Sequence, residues 1–277
     1  MNLIQCICGL LLVFIAVACQ TKEQNHNADS QAVGELLIDF NHVVGTQELV
    51  LDTATYANAQ GESYQVNILK YYISNIQLTN TKGEIFTYPK SESYFLISEA
   101  EPATKKIKLV DIPEGDYDHF TFTIGVDSTK SVAGVEERVG VLDVANPKTM
   151  YWSWNTGYIF FMLEGTSPAA PDSTGNQMKY HIGFFGGYDA SMPPDAAPRI
   201  NNVKKRTLDL EDTPLRIRSA QPSNVQVKVD VNRLFTGEEE VSIATHPVVM
   251  TTPYSKVIAN NYVEAFQVDF VKNSIEE

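Results

Sequence analysis

Val225, Val227, Val229 and Val231 alternate with Gln226, Lys228, Asp230 and Asn232. A period of two puts each set on its own face of an extended chain, so this segment reads as a strand with one dry and one wet face. Phe120, Phe122, Ile124 and Val126 alternate with Thr121, Thr123 and Gly125 in the same way. Residues 35–40, 64–78, 85–88, 94–97, 105–110, 158–163 and 178–185 are further strand candidates, rich in β-branched and aromatic residues and bounded by Gly, Pro, Asn or Asp. Many short strands without intervening helical repeats predict a mainly β fold, an antiparallel β-sandwich with long loops. The loops fall at 127–149 and at 186–202, the second carrying Pro193, Pro194 and Pro198. Near the end Val257, Ile258, Tyr262, Ala265 and Phe266 follow helical spacing, which predicts a C-terminal helix over residues 253–268.

The N-terminus speaks to compartment. Residues 1–18 carry no charged side chain, and the run LLLVFIAVA from Leu10 to Ala18 is apolar or small throughout. It suits the core of a signal peptide and falls short of the ~20 residues a membrane-spanning helix needs. Ala16, Val17 and Ala18 precede Cys19, the pattern of a bacterial lipobox in which the cysteine takes the lipid. The expectation is a lipoprotein signal peptide over 1–18, lipidation at Cys19, a polar flexible tether over 19–33 and a β domain over 34–277, held at the periplasmic face or the outer-membrane surface.

All three cysteines, Cys6, Cys8 and Cys19, lie in this leader or at its edge. The mature chain is therefore expected to hold no disulfide and no thiolate metal site, so a soft metal would need histidine or methionine. The formal charge of -13 argues against nucleic acid, whose phosphates select basic surfaces. About 260 mature residues suffice for a sizeable core.

Three segments could carry chemistry. Met150-Tyr-Trp-Ser-Trp-Asn-Thr-Gly-Tyr158 holds both tryptophans, and on a strand Trp152 and Trp154 would share a face. Read alone, such a pair fills a core. His181 stands in Lys179-Tyr-His-Ile-Gly-Phe-Phe-Gly-Gly187, inside an apolar strand, where a buried imidazole satisfied by a carbonyl is the plain reading. His42 stands in Phe40-Asn-His-Val-Val-Gly45 at the end of the first strand, where ligands often gather. His26 lies in the tether and reads as solvated; His119 reads as a cross-strand surface residue.

Taken in order, FNHVVG, LKYYISNIQL, GVDS, MYWSWNTGYIFFMLEG and YHIGFF, with DVNRLF and IANNYVEAF more faintly, resemble the MbnP-like family of exported copper-binding proteins. The resemblance implies a mononuclear copper site, Cu(I) or Cu(II), built from imidazoles and an oxidised tryptophan. It implies a dihaem cytochrome c peroxidase-like partner that converts tryptophan to kynurenine, exposing an aniline nitrogen that tryptophan lacks. Carried onto this chain, His42 and His181 become the imidazole ligands, and Trp154 or Trp152 the modified residue. His246, Met150 or water remains open as an additional ligand.

A second reading is a surface binding module without metal, gripping a glycan or a protein through Trp152, Trp154 and the tyrosines. An enzyme is not expected, because GxSxG, HExxH and a strand-following GxGxxG are all missing.

Overall fold

The structure, a computed structural model, describes residues 32–153, 157–186, 200–237 and 239–273. The expected leader, Cys19, His26, Trp154 and most of the 186–202 loop lie outside the described residues. Among the described residues no helix is long and apolar enough to cross a membrane.

The first half of the chain runs through β1 (Val33–Val44), β2 (Gln47–Glu48), β3 (Tyr56–Ala57), β4 (Ser63–Asn80), β5 (Ile85–Thr87), β6 (Tyr94–Ser98), β7 (Lys106–Pro113) and β8 (Gly115–Ile124). Then come the short helix α1 (Ser128–Ser131), β9 (Tyr151–Trp152), β10 (Gly157–Thr166) and β11 (Gln177–Gly183). The last part holds β12 (Lys204–Asp209), β13 (Leu215–Ile217), β14 (Ser223–Asp230), β15 (Val248–Val249), α2 (Ser255–Val263) and β16 (Phe266–Lys272).

Two sheets face each other. The smaller runs β16-β14-β1-β2, with β7 also on β1; the larger runs β12-β8-β4-β10-β11-β15, with short strands paired along it. The expected sandwich is present, with one refinement: β1 pairs β14 and β11 pairs β15 in parallel. The valines of 225–231 do face the core, all fully buried. Leu36, Ile38 and Phe40 from β1 meet Leu69, Tyr71 and Ile73 from β4 and Phe161 and Leu163 from β10 in that core. Phe161 stacks between Tyr71, at 5.6 Å between ring centres, and Tyr262 of α2, at 5.0 Å.

The C-terminal helix is shorter than its spacing predicted. It stops at Val263, and Phe266 begins β16, paired with Val229. Phe266 is buried either way, so its hydrophobicity could not discriminate helix from strand; the unpaired edge of β14 decides. The edge strand β12 escaped the sequence reading because Lys204, Lys205 and Arg206 mask its alternation.

The 127–149 segment covers the outer face of the larger sheet. Leu142, Met150 and Trp152 pack there on Tyr72, Tyr158 and Phe160 in a second apolar cluster. Asp127 pins this cover. It caps α1 and accepts from Tyr94, Lys90 and Asn75. Burial alone would raise its pKa, but those donors outweigh burial and hold the carboxyl at about 2.

Candidate metal centre

His42 sits at the C-terminal end of β1 and is 1% exposed. Its Nδ1 is 2.6 Å from Glu99 Oε2, and its Nε2 is 2.7 Å from the Tyr71 hydroxyl. Lys105 Nζ donates to the same Glu99 oxygen at 2.8 Å. Burial pulls the His42 pKa down, with Glu99 only partly opposing it. Burial would also raise Glu99, yet the hydrogen bonds from His42 and Lys105 outweigh it and hold the carboxyl below its ordinary value. An ionised Glu99 can only accept, so Nδ1 carries the proton and Nε2 accepts from Tyr71. Both ring nitrogens are thus engaged by protein, and the one lone pair, on Nε2, is taken by the Tyr71 hydroxyl.

His181 lies elsewhere. Along β11, Met178, Tyr180 and Ile182 point into the core, and in register Ile182 faces Phe161, which faces Tyr71. His181 is between them in sequence, so its ring leaves the opposite face, alongside Met162. His42 meets Tyr71 on the inner face. The two imidazoles therefore stand on opposite faces of the larger sheet, and the expected shared site of His42 and His181 does not form. The cause is strand parity within each sheet: on β1 of the smaller sheet His42 follows the inward positions of Leu36, Ile38 and Phe40, whereas on β11 of the larger sheet His181 takes an outward position between the inward Tyr180 and Ile182.

The outer face does bring His181 near a tryptophan. His181 Nε2 is 2.7 Å from Glu164 Oε1, and the histidine side chain is 13% exposed. Two residues along the same face, Gly183 forms the seat of Trp152: a Cβ there would meet the indole at 2.7 Å and the Tyr158 carbonyl at 2.5 Å. Trp152 also packs on Phe184, 5.4 Å between ring centres. Phe184 holds a left-handed backbone at φ 74, unusual for a bulky residue. Asn202 fixes that turn, its backbone N–H donating to Phe184 and its side chain to the Gly183 carbonyl. The strain is thus clamped from outside and turns the Phe184 ring onto the indole.

The remaining assignments fall apart from this cluster or inside it. His246 precedes β15 and stacks on Tyr254 at 3.6 Å between ring centres, near the end of β15 remote from His181. Met150 is buried in the Trp152 cluster. Trp152 itself is 5% exposed, which removes it from any exposed aromatic platform for a glycan. Sequence reasoning missed the grouping of His119 with Asp209 and Glu211, whose ligand atoms lie within 4.8 Å of one another. The two carboxylates are exposed, and the hydrogen bond to Asp118 raises the His119 pKa. Protons compete for that imidazole, and its oxygen partners suit hard cations better than copper.

Comparisons with known proteins agree with this fold. A solved structure, MbnP from Methylosinus trichosporium, superposes with a TM-score of 0.53 at 16% identity, covering 82% of this chain and 87% of that one. A comparison with curated proteins finds no match. The MbnP family model matches residues 33–251, from the first strand of the small sheet to just past the parallel edge strand β15. The chain belongs to the MbnP family.

Proposed function

We propose that this protein binds copper in the bacterial envelope, for acquisition, storage or handover, and that it does so around His181 on the outer face of the larger sheet. The observation that carries this reading is the 2.7 Å contact between His181 and Glu164. An Nε2–H held by a carboxylate fixes the tautomer and leaves Nδ1 with a lone pair, the arrangement in which such a carboxylate orients and strengthens a metal-bound imidazole. Among the described residues Nδ1 makes no hydrogen bond. Family membership supports a copper-related role. Imidazole suits copper where thiolates are missing.

In this reading copper is cargo, and no catalysis is assigned. His181 holds it through Nδ1 and Glu164 positions the ring. The leader and a lipid on Cys19 place the site at the membrane surface. Oxidation of Trp152 or Trp154 by a dihaem peroxidase-like partner belongs to the same proposal. Two peroxide equivalents add two oxygens across the indole C2–C3 bond and leave as water; hydrolysis then releases C2 as formate. The product is kynurenine, one oxygen richer and one carbon poorer. Co-expression with that partner is expected to raise the intact mass by this difference, and an unchanged mass with an active partner argues against the step.

Anaerobic Cu(I) titration of the detergent-solubilised full-length protein tests the site. His181→Ala is expected to weaken binding about a hundredfold, the scale of losing a principal ligand. Wild-type affinity in that variant removes His181 from the site.

A further inference from the structure

We infer that Met162 and Met250 complete a soft, thioether-bearing copper site around His181, an inference that rests on the copper reading above. The strand register places them. Met162 of β10 is the direct cross-strand partner of His181. On the other side of β11, Lys179 faces Val248 and Tyr180 faces Val249 in parallel register. Val249 is buried with Tyr180 in the core, so Met250, the next residue, turns to the outer face, where it packs in the Trp152 cluster together with Met162. His181 therefore lies between two methionines, one on β10 and one just past the end of β15, all three on one face.

The placement of methionine across the molecule is selective. Of the described methionines, Met178 is in the inner core, while Met150, Met162 and Met250 all belong to the outer-face cluster. Met162 and Met250 lie at the partly buried margin of that cluster, whereas Met150 is closed inside it. Flexible thioethers can fill gaps, and that alone would explain one such residue. Two that flank the imidazole left with an open nitrogen supply something more: donors matched to Cu(I), which prefers thioether sulfur and few ligands, and poorly matched to Zn or Cu(II). The site would then discriminate by oxidation state, taking copper in its reduced form.

Competition against a chromogenic Cu(I) chelator, anaerobically on the detergent-solubilised full-length protein, tests this. Met162→Leu and Met250→Leu conserve volume, so the fold should hold. Each is expected to weaken Cu(I) about tenfold and the pair about a hundredfold, while Cu(II) affinity stays within about twofold. Copper K-edge absorption should show sulfur scattering that disappears in the double variant. If the double variant binds Cu(I) as wild type while His181→Ala does not, the thioether role is wrong and the histidine site stands. If His181→Ala also binds as wild type, or the wild type binds no Cu(I), both readings fall together.

Discussion

Gly165→Ala is expected to cost about 4 kcal/mol or more and to lower the melting temperature by roughly 10 °C, because the change forces two central strands apart. Gly165 lies on β10, in the pair with β4 that forms the middle of the larger sheet. A Cβ at this position would come within 1.9 Å of the Gln65 carbonyl oxygen. That oxygen is backbone, so no rotamer change relieves the clash. The close approach follows from a bulge: Glu164 faces Ile68 while Gly165 faces Val66, leaving Asn67 as the extra residue on β4. The residue before this glycine is Glu164, which holds His181. Loss of the bulge geometry therefore disturbs the proposed copper site along with the fold. Urea unfolding of the variant checks the size of the effect. Shortening Met178, the other neighbour of the missing Cβ at 3.1 Å, is expected to rescue none of it, since the severe contact is with main chain.

The sandwich was legible because its strands advertise themselves. The valines of β14 and the phenylalanines of β8 alternate, and burial follows the pattern except at Thr121, which is covered by Thr207 of β12. Strands that must carry charge on a solvent edge, as Lys204 and Lys205 do on β12, leave no such trace. The 266–268 segment was misread because helical and extended spacing can both bury Phe266.

The site was legible in part. Both histidines stand in motifs that a sequence reading singles out, but which face each one leaves depends on register and bulges between strands far apart in sequence. Tyr71 and Met162 sit on strands whose consecutive apolar residues blur the alternation, and only their pairing shows that His42 joins the first and His181 the second. Met250 could not be found at all from sequence, because the parallel pairing of β15 with β11 joins segments about seventy residues apart with no local signal.

Parity leaves His42 with a structural task, and the second large effect follows from its partners. Glu99→Ala is expected to cost about 3 kcal/mol at neutral pH, since it strips the acceptor from a buried imidazole N–H and the counter-charge from Lys105. The pH dependence identifies the cause. Burial keeps the folded His42 pKa below its ordinary 6.5, so as pH falls through 6.5 the unfolded chain takes a proton that the native state refuses, and stability drops. Glu99 acts in a lower window. Its pKa is held below 4.5, so its contribution is complete above 4.5 and is lost as pH falls through the folded value. The wild type should therefore lose stability in two stages on acidification, and the variant should lack the second. The gap between the two proteins, read from urea midpoints, should be widest above pH 4.5 and close progressively below it. A gap of constant size across that range means that Glu99 stabilises the fold through packing, with its charge on His42 and Lys105 contributing nothing. A gap that closes identifies the triad of His42, Glu99 and Lys105 as the clamp joining the end of β1 to the segment after β6, across the two sheets.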